Sequence, residues 1–60
     1  MTEKAEEVIF VVREMKGGWI VVDGTTNGPF FSKMRAVDLA EGMALAVRAA
    51  GQQARVVITD

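Results

Sequence analysis

Cysteine, histidine and tyrosine are absent from this 60-residue chain, and proline and tryptophan occur once each. Each absence removes a class of chemistry. Without cysteine there is no disulfide and no thiolate ligand, and without histidine the usual zinc and iron sites are gone. The commonest acid–base and nucleophilic groups are missing with them. No metal, no cofactor and no enzymatic activity are therefore expected. A strong charge of either sign is also lacking: seven basic and eight acidic side chains leave a net charge of −1. The bases (Lys4, Arg13, Lys16, Lys33, Arg35, Arg48 and Arg55) are scattered, which is no footprint for a nucleic acid or an anionic membrane. No apolar run approaches the roughly 20 residues that span a bilayer, and the first ten residues, with Glu3, Glu6 and Glu7, contain no signal-type apolar stretch. A cytoplasmic setting is expected.

What remains is one small domain with much to bury. Half of the residues are apolar, whereas a chain of this size buries only about 60% of its unfolded surface. Small domains usually gain a disulfide, a metal or a partner chain. Only the partner is easy for this composition. Residues 1–7 are expected to form a loose, solvated N-terminus, and residues 8–60 a single α+β domain.

Residues 8–15, VIFVVREM, are rich in β-branched and aromatic side chains and predict a strand. Residues 16–18, KGG, supply a turn, and residues 19–23, WIVVD, return as the second strand of a hairpin. Residues 24–29, GTTNGP, read as a loop, after which Phe30 and Phe31 leave room for a short third strand. Ser32 is suited to cap a helix over residues 33–50, with Gly51 at its C-terminal end. At 100° per residue Ala36, Leu39, Ala40, Met43, Ala46, Val47 and Ala50 share the apolar face. Residues 54–59, ARVVIT, form the last strand, with Ala54, Val56 and Ile58 on one side and Arg55, Val57 and Thr59 on the other. The layout is ββαβ-like: a helix packed on one face of a sheet of three or four strands.

The hairpin has no polar side. A three-residue turn pairs Met15 with Trp19 and gathers Val8, Phe10, Val12, Ile20 and Val22 on one face. The other face then carries Ile9, Val11, Arg13, Met15, Trp19 and Val21. A two-residue Gly17–Gly18 turn would regroup them with a charge on each face. The three-residue turn separates the sets more cleanly and is the expectation here. One helix covers one face only, and burying each large apolar side chain contributes roughly 1.5–3 kcal/mol. Ile9, Val11, Met15, Trp19 and Val21 are therefore the expected interaction surface, and a homodimer, face to face or with exchanged strands, the expected assembly. Met34 and Leu45 fall among charged residues of the helix and are candidate secondary oligomer contacts.

Weaker patterns point elsewhere. Glu14 and Asp23 lie at strand ends and can approach one another as a carboxylate pair. Asp38 and Glu41 share a helix side as two metal ligands would, without further ligands. GTTNG lacks the lysine of a phosphate loop. Trp19, Phe30 and Phe31, with Arg13, Lys16 and Arg55, are the parts a sheet would use to bind single-stranded nucleic acid. A non-enzymatic interaction module is the first expectation; a weak single-stranded nucleic-acid-binding or regulatory protein is the alternative.

The run VIFVVREMKGGWIVVDG, then FFSKMRAVDLAEGMALAVRAAG, then ARVVITD, resembles small uncharacterised bacterial proteins of the domain-of-unknown-function 2188 type. The likeness spans residues 8–60 and is sharpest at Gly17, Gly18, Trp19, Ala36 and Ala40. It implies a compact ββαβ-type fold and no catalytic residue.

Overall fold

The computed structural model describes residues 7–59. The expected loose segment lies outside them except for Glu7, which instead opens a strand. The elements are β1 (Glu7–Met15), β2 (Gly18–Val22), β3 (Thr26–Phe30), α1 (Lys33–Ala49) and β4 (Gln53–Thr59). They build one four-stranded sheet in the order β3-β2-β1-β4. The neighbours β1–β2 and β2–β3 are antiparallel, whereas β4 runs parallel to β1. The helix makes that last pairing feasible, because a parallel neighbour needs a long crossover. It carries the chain from one edge of the sheet to the other across a single face.

Two expectations about strands need correction. The stretch read as a loop is mostly strand: Thr26–Phe30 pairs with β2, with a register shift between Trp19 and Val21. Gly28 and Pro29 suggested a break, but an edge strand has one side on which no amide needs a partner, so it accommodates both residues. The turn before it is short. Asp23 Oδ1 accepts from the Thr25 amide at 3.3 Å and from its hydroxyl at 3.1 Å.

The hairpin register also differs. Met15 pairs with Gly18 and Glu14 with Trp19, so only Lys16 and Gly17 form the loop. The two glycines act differently. Gly17 makes the turn at φ +95° with open space around it, whereas Gly18, at φ +148°, belongs to β2, and a side chain there would run into the Phe30 carbonyl. This one-residue slip moves Trp19 and Val21 to the helix side and Ile20 and Val22 to the opposite side.

Helix α1 begins as expected. The Ser32 hydroxyl accepts from the Arg35 amide at 3.3 Å, and Gly51 follows the C-cap, Ala50, at φ +93°. Its buried face is rotated from the expected one. Ala36, Ala40 and Ala44 are wholly buried, and Val37, Met43 and Val47 flank them, whereas Leu39, Ala46 and Ala50 are exposed. The sheet supplies the bulk: Phe10, Val12 and Val21 are buried, with Trp19, Phe30 and Val56 packed around them. Large side chains on the sheet require small ones opposite, so a ridge of alanines spaced four residues apart faces inward.

Substitutions separate these roles. Gly18→Ala is expected to cost about 2 kcal/mol or more, from backbone strain plus the collision with Phe30, and Gly17→Ala about 1 kcal/mol, from strain alone. Gly42 sits exposed inside the helix with nothing near it, so Gly42→Ala should stabilise by about 0.5–1 kcal/mol. Urea denaturation of the three variants checks the order.

Candidate interaction face

The observed register builds a continuous apolar row on the face away from the helix. Val11 stands opposite Val22 on β2 and Val57 on β4, and Val22 is opposite Thr26 on β3. Because paired residues project to the same side of a sheet, Val22, Val11 and Val57 line up across three strands. The next row on one side holds Ile9 beside Arg55, and the next on the other holds Ile20, Arg13 and Thr59. Met15 closes that end beside Gly18. Ile9 and Met15 are 38% and 42% exposed, the three valines are half-buried, and Ile20 is buried outside the helix-side core. Arg13 stands within the face, on the inner strand between Val11 and Met15, whereas Arg55 pairs with Glu7 at the edge, at 3.5 Å.

Of the five residues expected to form this surface, Ile9, Val11 and Met15 lie on it. Trp19 and Val21 do not. Val21 is fully buried in the helix-side core, and Trp19 is half-buried at its margin, with the Lys33 ammonium 5.5 Å from the ring centroid. Ile20, Val22 and Val57 complete the face instead. The alternation of β4 already set Val57 apart from the helix-facing residues, so its place was readable; Ile20 and Val22 depended on the hairpin register. Met34 and Leu45 are 72% and 66% exposed on the helix, away from this face.

The remaining candidates are dispersed. Glu14 lies beside the hairpin turn, opposite Trp19, whereas Asp23 follows Val22 at the far end of β2. At about 3.3 Å per residue they stand roughly 13 Å apart along the strands. The carboxylate pair is therefore not formed, because an antiparallel hairpin sends these two positions to opposite ends. Asp38 and Glu41 are exposed on the helix. Among the described residues, no three metal-ligating side chains gather and no pocket opens. Phe30 packs on the helix side with Trp19, and Phe31, 99% exposed, stands beyond β3. No aromatic ring joins Arg13 and Arg55 on the open face, so the arrangement of a base-stacking platform is not met.

Comparison with family models, curated proteins and solved structures yields no match to this chain.

The placement of Trp19 is open to a direct check. Since it lies on the helix side, Ile9→Glu on the opposite face should leave its emission maximum unchanged, whereas Lys33→Gln, which removes the ammonium above the ring, should shift it. Fluorescence spectra of the two variants suffice; a shift with Ile9→Glu alone would place the indole on the wrong side of the sheet.

Proposed function

We propose that this chain is a small non-enzymatic protein-interaction module that self-associates as a homodimer through the face of its sheet opposite the helix. The observation that carries this reading is the row Val22–Val11–Val57, flanked by Ile9, Ile20 and Met15. In the single chain Ile20 is already buried and the three valines half-buried, so what remains in water is mainly Ile9, Met15 and parts of the valines, each contributing less than the roughly 1.5–3 kcal/mol of a full burial. A second copy presents the same surface, so a two-fold axis satisfies both at once. Two such faces stack about 10 Å apart with their strands rotated by roughly 30°. The margins, Glu7, Arg55 and Thr59, stay wet and set the orientation, whereas Arg13 stands within the face and carries its guanidinium out to solvent on its long stem.

The reading also accounts for the residues that carry the resemblance to the uncharacterised bacterial family. Gly17 is the turn, Gly18 the point of close approach, Trp19 a core margin, and Ala36 and Ala40 the helix ridge. All five serve the fold, and membership of that family is part of the proposal. So is a cytoplasmic setting, where the lack of cysteine costs nothing. No helix among the described residues is long and apolar enough to cross a membrane.

Sedimentation equilibrium tests the proposal. Ile9→Glu and Met15→Lys alter side chains already more than one-third exposed, so each should fold. Each is expected to reduce the wild-type assembly to half its mass or less at micromolar concentration. A wild-type monomer, or an assembly that neither variant changes, would overturn the reading.

A further inference from the structure

The sheet has a second unpartnered surface, one of its two edges. The edge at β3 is unsuited to pairing: it is short, contains Gly28 and Pro29, and shifts register against β2. The edge at β4 is the reverse. It has seven residues without glycine or proline and keeps an unbroken register with β1 from Gln53 to Thr59. Near it lie Ile58, 44% exposed on the helix side, and Leu45, 66% exposed on the helix. The Arg48 guanidinium reaches down from the helix to the Ala54 carbonyl, with Nε at 3.1 Å and Nη2 at 2.9 Å. That contact fixes which flank of α1 stands above β4. Glu41 lies two turns before Arg48 on the same flank, and Leu45 stands about level with Val56, given rises of about 1.5 Å per helical and 3.3 Å per strand residue.

We propose that two copies of the chain pair through β4, antiparallel about a two-fold axis at Val56, to make one continuous sheet. The register follows from self-complementarity. Val56 meets the second copy's Val56, Ala54 meets its Ile58, Arg55 its Val57 and Gln53 its Thr59. No charge faces its own kind, and Ile58 gains an apolar neighbour on the helix side. The same axis sets the helices antiparallel on one side of the joined sheet. With strands about 4.8 Å apart and each helix above β1 and β4, their axes lie roughly 10–14 Å from one another, within reach of long side chains. Leu45 then stands near the axis, beside its own copy. Arg48 and Glu41, almost equidistant from the axis along the helix, meet in two reciprocal opposite-charge pairs. In the single copy Arg48 caps the start of the edge; on pairing it turns to the second copy's Glu41.

Val57 and Arg55 belong both to the β4 edge and to the opposite face, but Leu45, Glu41, Arg48 and Ile58 lie on the helix side, so the pairing is tested apart from the apolar row. Analytical ultracentrifugation of four chains separates the two: Ile9→Glu, and Ile9→Glu combined with Leu45→Glu, with Glu41→Lys, or with Glu41→Lys and Arg48→Glu together. Far-UV circular dichroism confirms that each is folded. With both interfaces the wild type forms a tetramer or larger, and Ile9→Glu alone is expected to fall to a β4-paired dimer. Adding Leu45→Glu or Glu41→Lys should raise its dissociation constant about tenfold or more, and adding Arg48→Glu to Glu41→Lys should recover most of that loss. An Ile9→Glu chain that is monomeric at millimolar concentration overturns the β4 pairing. So does a dimer indifferent to Leu45→Glu and Glu41→Lys, or one that the charge reversal fails to restore.

Discussion

The carbonyl of Phe30 occupies the space where a side chain at residue 18 would begin, and much of the molecule follows from that contact. It allows β3 to lie close against β2, and it makes Gly18 a strand residue rather than half of a turn. With Gly18 opposite Met15, the hairpin loop shrinks to Lys16 and Gly17. Strand side chains alternate, so this choice of partner decides the side of every residue in β2. Val21 goes under the helix and fills the core with Val12 and Phe10; Val22 goes to the other face and joins Val11 and Val57. A backbone contact at one glycine thus sorts the hairpin into a covered face and a bare one.

The covered face sets the limit on the helix. With Phe10, Val12 and Val21 projecting from the sheet, the helix approaches closely only along a ridge without bulk, and Ala36, Ala40 and Ala44 provide it. Trp19 and Phe30 close the core at its margin. The helix is held by side chains that the sheet contributes, so the far side is covered only by its own neighbours, which bury Ile20 and half-bury the valines but leave Ile9 and Met15 exposed. The bareness of that side is a consequence of this division of labour between large strand residues and small helical ones.

Those elements whose signals are local were legible in the residues. The helix was, because Ser32, a run of strong helix formers and Gly51 mark its ends within a residue or so. The first and last strands were, and so was the alternation that puts Ala54, Val56 and Ile58 on one side of β4. Thr26–Phe30 was hidden because glycine and proline at an edge resemble a loop, and their tolerance there depends on which strand is outermost. The hairpin register was hidden because Gly17 and Gly18 are alike locally, and only the close approach of Phe30 in β3 distinguishes them. The rotation of the helix face was not legible, because apolar periodicity does not distinguish residues by size, whereas the packing against Phe10, Val12 and Val21 favours small ones. Ile9, Val11 and Met15 of β1 therefore lie on the face away from the helix, as their alternation implies, whereas the residues of β2 stand one out of step.

A chain this short also places the two bare surfaces in a particular relation to its stability. The core holds few large side chains, and its margin over the unfolded state is correspondingly thin. Association through the open face or the β4 edge favours only the folded chain, so the folded fraction rises with concentration by mass action. Apart from Ile20 and Val56, the side chains that would drive association are not those that hold the monomer together. Ile9 and Met15 belong to the first group, Val12 and Val21 to the second, and no residue of the buried cluster is needed at either surface. Assembly can then be weakened by a charge at the surface without emptying the core, whereas a change in the core removes both surfaces at once. That asymmetry follows from a sheet whose alternate residues answer to different partners.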